Sequence, residues 1–296
     1  MSLYQSIREA KHLFGAENVT IKINDSPYYN RRTIIHANGI VIHTYYDTVV
    51  TKPNPPKKKR VKPLGSVSVD PNPHKRNKRA ERAIESYVIG GSFDYWTTLT
   101  FDPNEHTFCL DYDTTVQKVS NWFRNYKLRY APDLHYLMVF ELMDPDDQGR
   151  EKWHVHLFMK GVNSRDVIVT RFKNKYGRPK YDFVPWSSKF GFTELDKITT
   201  LYESDIPSLY KLASYLSKYA VKNVESALHK KRYRVTKSLC PAPVVSYSHE
   251  PQPLETLLNN PSLSYHGYYY VRNDEGAITN LAHKFIERSM NETSPL

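Results

Sequence analysis

Hydrophobic and polar positions alternate most clearly in Trp153-His154-Val155-His156-Leu157, so a strand here buries Trp153, Val155 and Leu157 and aims both imidazoles off the other face. Tyr136 to Glu141 is a second short apolar strand. The turn-rich Asp144-Pro145-Asp146-Asp147-Gln148-Gly149-Arg150 joins the two as a hairpin. From Phe93 to Asp102 the same period puts Phe93, Tyr95, Thr97, Leu99 and Phe101 on one face and Asp94, Trp96, Thr98, Thr100 and Asp102 on the other. Asn18 to Ile23, Ile40 to Tyr46, Phe192 to Ile198, His229 to Lys237 and Ser264 to Val271 also read as strands. Helical spacing appears in Val116, Val119, Trp122, Phe123 and Tyr126 of Thr114 to Tyr130, and in Leu209, Leu212, Ala213, Leu216 and Ala220 of Ser208 to Lys222. Gln5 to Phe14, His74 to Tyr87 and Asn280 to Met290 are further predicted helices, and Ser164 to Tyr176 is a helix or an extended excursion.

The 296 residues suffice for one main domain with extensions. Composition is that of a soluble protein, no apolar run reaches the ~18 residues that cross a bilayer, and Met1-Ser2-Leu3-Tyr4-Gln5 lacks a secretory pattern. The expected location is the cytosol, without membrane contact. Cys109 and Cys240 are too few and too far apart for a disulfide framework or a structural zinc knuckle. Nearly all of the net charge of +11 sits in residues 51–79, where ten Lys/Arg face the single Asp70. Six prolines in that stretch oppose regular structure, so it reads as an extended polycationic linker that contacts phosphate without sequence preference. Pro56-Lys57-Lys58-Lys59-Arg60-Val61 also resembles a basic nuclear-import signal, a weaker reading of so short a run. Residues 1–50 form an accessory unit or an added layer on the main domain.

Two constellations carry chemistry. Glu141, His154 and His156 across one hairpin make a His, His, carboxylate set suited to a divalent ion that must also bind substrate oxygen. Asp144, Asp146 and Asp147 look superficially like a calcium loop but lack its terminal bidentate Glu, so a solvated turn is preferred. The second constellation is Tyr215, Lys218, Tyr219 and Lys222, which share one helix edge and set an ammonium group beside each phenol. Thr98 and Thr100 can contact DNA or line a site. Lys230, Lys231, Arg232 and Arg234 form a second basic patch fit for nucleic acid.

Trp96-Thr97-Thr98-Leu99-Thr100-Phe101, Trp153-His154-Val155-His156-Leu157 and Tyr215-Leu216-Ser217-Lys218-Tyr219-Ala220-Val221-Lys222, in this order, resemble the three motifs of the HUH endonuclease superfamily. More narrowly, they are similar to the two-tyrosine rolling-circle replication initiators of bacterial plasmids and single-stranded DNA phages. The resemblance spans roughly residues 75–240 and implies an α+β fold: a central antiparallel sheet of about five strands with flanking helices, of HUH/RRM-like type. The implied division is an accessory region at 1–50, a linker at 51–79, an endonuclease domain at 80–240 and an extension at 241–296. It also implies Mg²⁺ or Mn²⁺ on Glu141, His154 and His156, with Tyr215 and Tyr219 as nucleophiles, Tyr215 leading, assisted by Lys218 and Lys222. The implied product is a 5′-phosphotyrosine and a free 3′-OH in a bacterial host cytosol. Partners would be single-stranded DNA or an origin hairpin, with host helicase and DNA polymerase, since no Gly-x-x-x-x-Gly-Lys-Ser/Thr helicase signature is present. A transposase or relaxase with the same chemistry, and a noncatalytic DNA-binding protein, are the alternatives.

Overall fold

A computed structural model of the chain describes residues 28–51, 73–222, 233–237, 239–250, 252–272 and 277–288. They fall into two compact units, Val69–Leu239 and a second one that joins Met1–Ser68 to Cys240–Leu296. The predicted helix Gln5 to Phe14, the predicted strand Asn18 to Ile23, residues 52–72 of the basic stretch, and Lys230, Lys231 and Arg232 lie outside the described residues. The chain enters with β1 (Tyr28–Ile35) and β2 (Ile40–Thr51), an antiparallel hairpin of the second unit.

The Val69–Leu239 unit starts with α1 (Pro73–Gly91), so residues 73–79 of the expected linker are helix. Its opening proline supplies a φ already suited to the first turn and removes a donor that would have no partner there. Next come β3 (Tyr95–Leu99), a 3₁₀ turn (Thr107–Leu110), α2 (Tyr112–Arg129), β4 (His135–Leu142) and β5 (Trp153–Lys160). Asp111 caps α2 by accepting from the backbone N–H of Thr114 at 2.9 Å. The Asp144 to Arg150 connection is a turn, in which Asp146 accepts from the backbone N–H groups of Gln148 and Arg150 and from the Arg150 guanidinium.

The chain continues through β6 (Val167–Lys173), β7 (Pro179–Phe183), α3 (Val184–Ser187), β8 (Thr193–Lys197), α4 (Thr199–Ser204), α5 (Ile206–Lys222) and β9 (Tyr233–Val235). These strands form one antiparallel sheet in the order β6-β7-β8-β3-β5-β4-β9, seven strands where about five are expected. Two of the additional strands arise because the Ser164 to Tyr176 segment is extended, not helical. Its Val167-Ile168-Val169-Thr170 run is β-branched throughout and suits a pleated surface better than a helix.

Each face of this sheet has its own cover. Met138, Phe140, Trp153, Val155, Leu157, Met159, Leu99 and Leu195 pack with Val116, Val119, Phe123 and Tyr126 of α2 into one core. On the other face α1 and α5 pack together and against β4, with Ile84, Val88, Leu209, Ala213, Leu216 and Ala220 all buried. Phe93 departs from its predicted face: it lies before β3 and its ring contacts Phe158, 5.4 Å between centroids. No helix among the described residues is long and apolar enough to cross a membrane.

The other unit is a five-stranded sheet in the order β10-β1-β2-β12-β11, with β10 (Val244–Ser248), α6 (Leu254–Leu258), β11 (Ser264–Arg272) and β12 (Ile278–Arg288). Segments at opposite ends of the sequence thus share one sheet. The predicted helix Asn280 to Met290 is instead β12, which pairs with β2 on one side and β11 on the other. Apolar residues on both faces, Ala282 and Ile286 on one and Phe285 on the other, erase the alternation that marks a half-exposed strand. Tyr45, Leu257 and Phe285 form the small core beneath α6.

Candidate active site on the histidine strand

Antiparallel pairing builds the site by register. Glu141 of β4 lies opposite His154 of β5, Thr98 of β3 lies opposite His156, and Glu194 of β8 lies opposite Thr98. Residues paired across strands project to the same side, so Glu141, His154, His156, Thr98 and Trp96 share the face that α5 covers. Glu141, His154 and His156 are all less than a tenth exposed. Burial comes from the neighbouring strands and from the rings above them.

His156 is held at both nitrogens. Nε2 lies 2.6 Å from a Glu141 carboxylate oxygen, and Nδ1 lies 3.0 Å from the Thr98 hydroxyl. With the proton on Nε2 the imidazole donates to Glu141 and Thr98 donates to Nδ1. With the proton on Nδ1 the Thr98 hydroxyl accepts it and Nε2 is released as a lone pair. Thr98, expected at DNA, therefore orients a histidine. Alternation alone puts Trp96 on this face without giving it a role; its ring lies parallel to that of His156, 5.5 Å away.

His154 is different. Its Nε2 is buried without a hydrogen-bond partner, an omission worth about 1–3 kcal/mol if nothing binds there. Burial first, then the charges of Lys152 and His156, lower its pKa to about 4, so the ring is neutral at physiological pH and keeps a lone pair. Among the described residues no three His, Cys, Asp or Glu side chains form a ready cluster for a metal ion. Two imidazoles and a carboxylate, one nitrogen orphaned and another bound only to that carboxylate, nevertheless fit a divalent ion by donor chemistry. Occupation would require the His156–Glu141 bond to open.

Both tyrosines come from α5, whose first turn Asp205 caps by accepting from the Ser208 N–H at 3.0 Å. The Tyr219 ring stacks on His156 with 4.4 Å between centroids and 22° between planes. Tyr215, one turn earlier, meets Tyr219 edge-on at 4.7 Å and is 47% exposed. Burial foremost, then a hydrogen bond and charge coupling to Tyr215 and the charge of Glu141, raise the Tyr219 pKa. The interleaved lysines do not offset this: Lys218 is exposed, and of Lys222 only the backbone is described.

The remaining site candidates are scattered. The Thr100 hydroxyl donates to the Phe192 carbonyl at 2.8 Å, a link made possible by Gly191 (φ 146°), where an added Cβ would lie 2.9 Å from the Thr100 oxygen. Arg234 of β9 pairs opposite Met138, which puts it on the α2 side of the sheet, away from the histidines. No curated protein and no solved structure matches the chain. Residues 94–224, which run from the start of β3 through the tyrosine helix, match the model of the family described as Replication-associated protein ORF2, and over that segment the chain is similar to replication initiators of the Rep type.

Proposed function

We propose that this chain starts rolling-circle replication by nicking single-stranded DNA through tyrosine attack on a phosphodiester. The observation that carries the reading is the stacking of Tyr219 on His156, the imidazole that also bonds Glu141. Chance motifs would leave the two constellations apart. Instead a phenol, two imidazoles and a carboxylate meet on one face, within the segment similar to replication-associated proteins.

Glu141, His154 and His156 would hold Mg²⁺ or Mn²⁺. When bound, the ion supplies Lewis acidity to the scissile phosphate and favours the phenolate. The protein's own part is positional. Thr98 fixes the His156 ring, Trp96 packs beside it, and α5 presents Tyr219. The Tyr219 oxygen forms the bond to phosphorus, the 3′-oxygen leaves with the electron pair and takes up a proton, and the phenol proton passes to solvent or a nearby base. The free 3′-OH then primes synthesis, with helicase and polymerase supplied by the host. Tyr215, edge-on to Tyr219 and more exposed, would accept the new end at termination.

Incubation with single-stranded origin-region DNA and Mn²⁺, followed by denaturing electrophoresis and peptide mapping, tests this reading. A covalent adduct on Tyr219 or Tyr215 supports it. The reading fails if DNA is cut without an adduct, or if chelator leaves cleavage intact.

A further inference from the structure

The outer hairpin of the large sheet, β6 and β7, carries residues the nicking chemistry does not use. Ile168, Val169, Phe172 and Tyr176 are each at least half exposed, Tyr176 at 72%. Arg171, Lys173, Lys175 and Arg178 alternate with them and are exposed too. Among the described residues none of these four forms an ion pair. Arg171 lies over the Phe172 ring and Lys175 over the Tyr176 ring, at 5.2 and 5.0 Å from the centroids. The segment's carboxylates are engaged elsewhere: Asp166 accepts from the Tyr126 hydroxyl, and Asp182 from the hydroxyls of Ser187 and Thr193. Unpaired cations interleaved with exposed rings serve neither a core nor solubility, and they match a strand of phosphates and bases.

The tip is also fixed relative to the histidine face. Asn174 donates to Asp196 at 2.8 Å, and Lys180 pairs with Glu194. Asp196 and Glu194 lie opposite Trp96 and Thr98, so the tip is tied to the face that holds His156. Three strand spacings separate β7 from β5, or ~14 Å.

We infer that the β6–β7 hairpin is a single-stranded DNA clamp: Phe172 and Tyr176 stack on unpaired bases while Arg171, Lys173, Lys175 and Arg178 hold the backbone beside the site. The location next to a nicking centre rests on the function proposed above; the binding itself does not. Duplex DNA is the less suitable partner, because its bases offer no open face to the two rings.

Fluorescence anisotropy with a labelled 20-nucleotide oligo-dT and a labelled 20-base-pair duplex, both in EDTA so that no cleavage intervenes, separates the possibilities. Phe172→Ala/Tyr176→Ala is expected to weaken oligo-dT binding by roughly 10-fold or more and to change duplex binding less than twofold. Arg171→Gln/Lys173→Gln/Lys175→Gln/Arg178→Gln is expected to lower the slope of log affinity against log salt by about 2 to 3. All six side chains are exposed, so the fold should be retained, as circular dichroism would show. Unchanged oligo-dT affinity in the double variant, an equal loss on both DNAs, or an unaltered salt slope would each overturn the assignment. These outcomes are independent of whether the wild type nicks DNA.

Discussion

The Tyr219 ring sits 4.4 Å from that of His156, whereas Tyr215 approaches the same region through Tyr219 and through the edge of Trp96 at 6.5 Å. Sequence order puts Tyr215 first in its Tyr-x-x-Lys unit, but helix geometry turns the later tyrosine toward the histidines. Tyr219→Phe should therefore reduce first-strand cleavage by roughly 10³-fold or more, as expected when a nucleophile is removed. Tyr215→Phe should still nick but fail to release closed single-stranded circles. Rapid-quench assays on a single-stranded origin fragment distinguish the two. The opposite ranking would assign the first cut to Tyr215.

Thr98 controls the His156 tautomer through a 3.0 Å hydrogen bond. Thr98→Val keeps the shape and removes the hydroxyl, so Nδ1 loses its partner while the strand pairing stays. The Mn²⁺ concentration that gives half-maximal cleavage is expected to rise about 10 to 100-fold, with oligonucleotide affinity in EDTA unchanged. Thr98→Ser should restore most of the loss. Equal metal dependence in wild type and Thr98→Val would mean that the hydroxyl does not act through the histidine.

How much of this was legible follows from what periodicity can encode. The histidine strand was readable because His154 and His156 interrupt an apolar alternation, even though every residue from Trp153 to Met159 is buried. β12 was misread because a strand paired on both edges and packed on both faces has no polar side to reveal its period. The β6–β7 hairpin was ambiguous because its apolar and cationic residues both face solvent. Nor could spacing show that Glu141 bonds His156 although it lies opposite His154 in register, since that choice belongs to side-chain rotamers. Trp96 had a detectable signal, its position on the Thr98 face, but only the strand register reveals the histidine beside it.

The basic stretch makes a separate prediction. α1 begins at Pro73, so the charge that lies outside any described helix is concentrated at Lys57, Lys58, Lys59, Arg60 and Lys62. Replacing these five with Gln should lower the slope of log affinity against log salt by up to about 3.5 on single-stranded DNA, if all five contact phosphate. Cleavage of a short oligonucleotide at saturating concentration should persist. An unaltered slope would assign the contacts to the folded units.

Acid stability offers a test of the buried histidine. His154 has a pKa of about 4 in the folded chain, lowered mainly by burial, against an ordinary value of 6.5. Between these values the unfolded chain binds more protons than the folded one, so stability rises with pH in that window. The contribution is fully present above about pH 6.5 and is lost as the pH falls toward 4. A shift of this size corresponds to roughly 3 kcal/mol across the window, at 1.36 kcal/mol per unit. His36, buried in the other unit, has its pKa lowered to about 4 as well, so a probe that sees the whole chain would mix the two. Trp96, Trp122, Trp153 and Trp186 are the chain's four tryptophans and all lie in the Val69–Leu239 unit. Urea unfolding followed by tryptophan fluorescence therefore isolates His154. The wild type should lose stability steeply from pH 6.5 to 4.5, and His154→Gln should flatten that dependence, whereas His36→Gln should stay as steep as the wild type. Parallel curves for wild type and His154→Gln would show that another group governs the acid transition of this unit.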